Sequence, residues 1–178
     1  MLIIHPKDRT TSVLSTLYEG IGANVISGKC SNKEMEHLLH HVSTQERIML
    51  LGHGSDKGLF YREDDTKNEF DKIIVGHPHT FHLRKHGGNL IGIWCHADKF
   101  ARAEGLHGLF SGMIISEKQE AEEYGITATK QEILSNVQKI TSAIFLLQFM
   151  FRSIAKNLTK EPCKDVVFIL MCSMYFIT

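Results

Sequence analysis

Two stretches decide the reading of this chain: IMLLGHG at Ile48–Gly54 and NLIGIWCHA at Asn89–Ala97. Each is a short apolar run that stops at a reactive side chain, His53 in the first and Cys95 in the second. Four or five aliphatic residues without polar alternation suit a strand buried on both faces of a parallel sheet. We read them as strands over 47–51 and 89–94. Ligands of open parallel sheets bind beyond the carboxyl ends of the strands. If these two strands are neighbours, the His53 imidazole and the Cys95 thiol meet at that edge.

The flanking sequence extends the same pattern. Short apolar runs alternate with helical periodicities, which predicts βαβ units. Strands are expected at Leu2–Ile4, stopped by Pro6, and at Asn24–Ile26. Between them, Val13, Leu14, Leu17 and Tyr18 predict one helix face, ended by Gly20 and Gly22. Ser31 and Glu34 form a capping-box pattern ahead of a helix that turns Met35, Leu38, Leu39 and Val42 inward. Further expectations are a hairpin around Gly58–Tyr61, a short strand at Ile73–Val75 and a short helix over Phe81–Lys85. A helix follows Cys95 over about 97–106, then a strand at Gly112–Ser116 and a helix over Glu117–Tyr124. A long helix runs from Thr127 to about Asn157, and a sixth strand is expected at Val166–Leu170. The whole, 1–178, reads as a single α/β domain with a mainly parallel sheet.

Composition bounds the function. The 178 residues are 43% hydrophobic and 22% charged, as in globular domains, and 20 Lys+Arg balance 20 Asp+Glu. Without a basic surplus or a Lys/Arg-rich run, a dedicated nucleic-acid binder is not expected. Met1 leads into LIIHP with no signal-peptide pattern. The apolar stretches AIFLLQFMF (143–151) and VVFILMCSMYFI (166–177) fall short of the roughly 20 residues that cross a bilayer. The four cysteines, 30, 95, 163 and 172, show neither C-x-x-C nor zinc-finger spacing. The expectation is a cytoplasmic protein with reduced thiols and no membrane partner.

The chemistry rests on His53 and Cys95. A thiol attacks a carbonyl only as thiolate. A neighbouring imidazole takes its proton, and the N-terminus of the helix after Cys95 favours the negative charge. Gly54 lets the backbone come close to a substrate, and its N–H together with that of Cys95 suits an oxyanion hole. Competing chemistries lack their signatures. The histidines at 77, 79, 82 and 86 include an i, i+4 pair, His82 and His86, but no Glu follows His82, so H-E-x-x-H is missing and no metal is expected. A Cys-phosphatase needs C-x5-R, and Ala101 holds the arginine position. No G-x-G-x-x-G is present, and no cofactor is expected. His96 reads as a solvent-facing residue at the helix start.

An apolar block ending in His-Gly, followed by a second ending in Cys, resembles the caspase-like clan of cysteine peptidases (caspases, gingipains, separases). His53 precedes Cys95 by roughly 40 residues, near the spacing of about 50 noted for caspases. The resemblance implies a three-layer α/β/α fold with about six strands. It also implies Cys95 as nucleophile, His53 as acid/base and Gly54 as oxyanion donor. IWCHAD stands where caspases carry Q-A-C-x-G, so the likeness is to a divergent, compact member. The expected activity is cleavage of peptide or protein substrates through a thioester; the alternative is a non-catalytic interaction or regulatory module of the same fold. Clan members select the residue before the cut, often with the loop after strand one. Here that loop carries Lys7, Asp8 and Arg9, charges of both signs; Asp56 and Asp98 favour a basic residue and Arg9 an acidic one, so the balance leans basic.

Overall fold

The computed structural model describes residues 1–64, 70, 72–112 and 174–177, together with positions 122, 125, 127, 129 and 131. Backbone contacts divide the chain into two compact units. The first comprises Met1–Ser12, Gly22–Met113 and Met174–Thr178; the second comprises Val13–Ile21 and Ile114–Ser173.

The first unit is α/β. Its main sheet runs β1 (Leu2–Ile4), β2 (Asn24–Ile26), β3 (Ile48–Leu51), β7 (Leu90–Ile93) and β8 (Gly108–Ser111) in the spatial order β2-β1-β3-β7-β8, all parallel. The backbone of β9 (Met174–Ile177) pairs antiparallel along β8. A small antiparallel sheet of β4 (Gly54–Ser55), β5 (Gly58–Tyr61) and β6 (Lys72–Gly76) leaves the end of β3. The helices are α1 (Asn32–His41), α2 (Thr80–Leu83) and α3 (Ala97–Glu104).

Side-chain alternation explains why the central strands are apolar throughout. Leu2, Ile4, Ile48, Leu50, Leu90 and Phe110 share a core with Met35 and Leu39 of α1, Leu83 of α2, and Phe100 and Ala101 of α3. Ile3, Met49, Leu51, Ile91 and Ile93 occupy the alternate positions and are buried as well. A parallel sheet covered on both faces has no place for polar alternation. The capping box on α1 forms as its sequence demands: Glu34 N–H donates to Ser31 Oγ, and Ser31 N–H to Glu34 Oε2 at 2.7 Å.

Two expectations shift. The helix foreseen after β1 is a 3₁₀ helix over Ser12–Leu17; three residues per turn align Leu14 with Leu17, and both are buried. A strand lies at Gly108–Ser111; of the strand expected at Gly112–Ser116 only Gly112 is among the described residues, and the rest lies outside them. Gly105 takes the left-handed conformation, φ 61°, and its N–H closes onto the Ala101 and Arg102 carbonyls, ending α3 at Glu104. Apart from the isolated positions 122, 127, 129 and 131, the expected helices over 117–124 and 127–157 and the strand at 166–170 lie outside the described residues. No helix among the described residues is long and apolar enough to cross a membrane.

Neutral histidines are built into the interior, which sets an acid limit on stability. Burial pushes His5 down from the usual 6.5 to about 4, and burial also lowers His79, whose Nδ1 accepts from Gly76 N–H. The unfolded chain therefore binds protons first as pH falls. Stability from these groups is complete above pH 6.5 and declines as pH drops toward 4, with His5 alone contributing on the order of 3 kcal/mol of loss. Urea unfolding at pH 7 and pH 4.5 should show this loss, and His5→Gln should make the dependence shallower. An unfolding free energy unchanged between the two pH values would contradict it.

Candidate active site

Three adjacent parallel strands, β1, β3 and β7, deliver the reactive groups to one sheet edge. The register pairs Leu51 with Ile93, and Gly52 N–H donates to Ile93 O at 3.0 Å. His53 and Cys95 each lie two residues past that pair. The two strands are thus neighbours, as the sequence reading required, with His53 and Cys95 in matching positions beyond their carboxyl ends. On the other side of β3, the chain leaving β1 brings up Asp8.

Asp8 is not an open carboxylate awaiting substrate. Its Oδ2 pairs with His53 Nε2 at 3.0 Å and with Arg62 Nη2 at 2.7 Å, and its side chain is only 5% exposed. Its Oδ1 accepts from the N–H and Oγ1–H of both Thr10 and Thr11 at 2.9–3.0 Å. Burial opposes ionisation, but the hydrogen bonds from His53, Arg62 and Thr11 outweigh it and hold the carboxyl well below its usual range. Thr10 Oγ1 also lies 2.7 Å from His53 Nε2. The imidazole, 29% exposed at its side chain, rests against the exposed ring of Phe70 at 5.1 Å. Phe60 flanks that ring at 5.2 Å, and the Arg62 guanidinium lies over it at 4.8 Å.

Cys95 is a half-buried thiol in a tight turn. Ala97 N–H closes the turn onto Trp94 O, and His96 takes φ 65°, ψ 27°. His96 is the one non-glycine with positive φ among the described residues. This conformation costs about 1 kcal/mol or more in a side-chain-bearing residue, and such costs cluster at functional sites. Ser111 pins the strand end just before the thiol: Trp94 N–H donates to Ser111 Oγ, and the Ser111 hydroxyl donates to Trp94 O.

Gly54 opens β4, opposite Leu59. A Cβ there would overlap the Trp94 indole and the Gly58 carbonyl, so close packing on Trp94 is what demands glycine at this position. The Trp94 Nε1–H reaches on to Ser55 O at 2.9 Å. Arg9 and Asp56 are exposed, and Asp98 sits in the first turn of α3 with its Oδ1 buried.

The histidine group at 77–86 disperses. His77 pairs with Glu104 Oε1, His79 is buried under Gly76, and His86 contacts Glu46 O. Among the described residues no cluster of three potential metal ligands exists. Arg62, Thr10, Ser111 and the His53 partnership of Asp8 escaped the sequence reading. The only signal was position, since Asp8 follows β1 as His53 follows β3. Comparison with known proteins finds no matching family model, no matching curated protein and no matching solved structure.

Proposed function

We propose that this chain is a cysteine-type endopeptidase with the three-layer α/β/α architecture of the caspase-like clan. The observation that carries the reading is the pairing of β3 with β7, which sets His53 and Cys95 in matching register beyond one sheet edge. In the reaction, His53 takes the Cys95 proton, and the thiolate forms a C–S bond to the scissile carbonyl carbon. The resulting oxyanion is met by backbone N–H groups of Cys95 and Gly54. The C–N bond breaks as the imidazolium returns its proton to the leaving amine. Water, deprotonated by His53, then hydrolyses the thioester and restores the thiol.

Because Asp8 is already ion-paired, a basic residue before the scissile bond is recruited by Asp56 and Asp98. A thiol nucleophile of this kind suits the reducing cytoplasm. The test is brief labelling with a peptide-based electrophile at pH 7, followed by peptide mapping of all four cysteines. Labelling concentrated at Cys95 and abolished in His53→Ala is expected. Labelling spread evenly over the cysteines would sink the peptidase and leave a non-catalytic module of the same fold.

A further inference from the structure

We infer that Asp8 is the positioning residue of this site, fixing His53 as the tautomer with its proton on Nε2 and its lone pair on Nδ1. The inference rests on the peptidase reading and assigns the proton path within it. It follows from counting hydrogens. Asp8 Oδ2, an ionised acceptor, lies 3.0 Å from Nε2, so Nε2 must donate. The second contact of Nε2, Thr10 Oγ1 at 2.7 Å, is consistent: the single Thr10 hydroxyl hydrogen is directed to Asp8 Oδ1 at 2.9 Å, so its oxygen accepts from Nε2. Both neighbours of Nε2 are therefore acceptors, and the neutral ring keeps its lone pair on Nδ1.

Asp8 is held firmly enough to impose this choice. Four donors from Thr10 and Thr11 fix Oδ1, and Arg62, reaching over from the end of β5, fixes Oδ2. Among the described residues the charged groups facing His53 are Asp8 and Arg62, with Cys95 on the adjoining strand. When Cys95 gives up its proton, the S–H bond breaks and an Nδ1–H bond forms. The imidazolium then carries both protons, and the Asp8 carboxylate balances its charge. A carboxylate that orients a histidine in this way governs the ring's tautomer rather than the chemistry at the substrate.

The experiment uses the full chain with ¹⁵N-histidine. The nitrogen spectrum of neutral His53, assigned by its loss in His53→Ala, should show a protonated Nε2 and an unprotonated Nδ1. In Asp8→Asn the amide offers an N–H where Oδ2 stood, so the spectrum should shift toward the Nδ1–H form. Alkylation of Cys95 by iodoacetamide at pH 7 should slow by about tenfold in Asp8→Asn and in His53→Ala alike, with no further slowing in the double variant. A wild-type spectrum with Nδ1 protonated overturns the inference without recourse to any variant. So does Asp8→Asn alkylating at the wild-type rate while His53→Ala is slow; the dyad then stands and only the role of Asp8 falls. If neither variant slows, the dyad itself fails, and the positioning role falls with it.

Discussion

His53→Ala is expected to lower peptide hydrolysis by about 10²- to 10⁴-fold with the fold intact, the range contributed by a positioned acid–base group. His53 lies past the end of β3 and is partly exposed, so truncation opens no core cavity. Its partner Asp8 keeps Arg62 and the Thr10 and Thr11 donors, and no buried charge is stranded. The stability change should be about 1 kcal/mol or less, as for substitutions away from the core. The rate loss has two sources in one residue: the thiol keeps its proton, and the leaving amine receives none. Turnover of a peptide library by wild type, His53→Ala and Cys95→Ala, each checked for native circular dichroism, reads the effect. Equal cleavage by all three would show that any activity in the preparation lies elsewhere.

Trp94→Ala should destabilise the protein by about 3–5 kcal/mol, the usual cost of removing a large buried aromatic. Trp94 is 1% exposed and lies 5.8 Å from the Phe100 ring and 6.5 Å from the Phe110 ring, tying β7 to α3 and β8. The indole also fills the space that Gly54 leaves open, and its N–H satisfies Ser55 O. Alanine removes the packing and leaves that carbonyl without its donor. The damage extends to the site, because Trp94 immediately precedes Cys95 and joins the strand to the turn that carries the thiol. Trp94→Phe keeps most of the ring contact and loses the hydrogen bond, a cost of about 1 kcal/mol beyond its packing change. Since Trp94 is the sole tryptophan, urea unfolding is best followed by circular dichroism. A loss under about 1 kcal/mol for Trp94→Ala would mean that the indole is not part of the core it borders.

These two residues illustrate how unevenly the molecule could be read. The strand at Ile48–Leu51, the capping box at Ser31 and the position of Cys95 after an apolar run were legible because each depends on a few consecutive residues. The end of α3 was misplaced by two residues, and the strand at Gly108–Ser111 was not foreseen. Apolar periodicity runs on through Leu106, and only the left-handed turn at Gly105 stops the helix. The candidate pair was legible, but its setting was not. Asp8 looked like a specificity charge beside Lys7 and Arg9, whereas it is bound to His53 and Arg62. Gly54 suggested room for a substrate, whereas the Trp94 indole already requires it.

The sequence by itself determined which segments become buried strands and which reactive side chains end them, since apolar run length and capping act over a few neighbouring residues. Only the tertiary structure decided that β1, β3 and β7 lie side by side. Parallel strands pair through crossovers, and their hydrogen bonds join residues some 40 positions apart, which no local pattern encodes. That order of strands brings Asp8 to one side of His53 and Cys95 to the other.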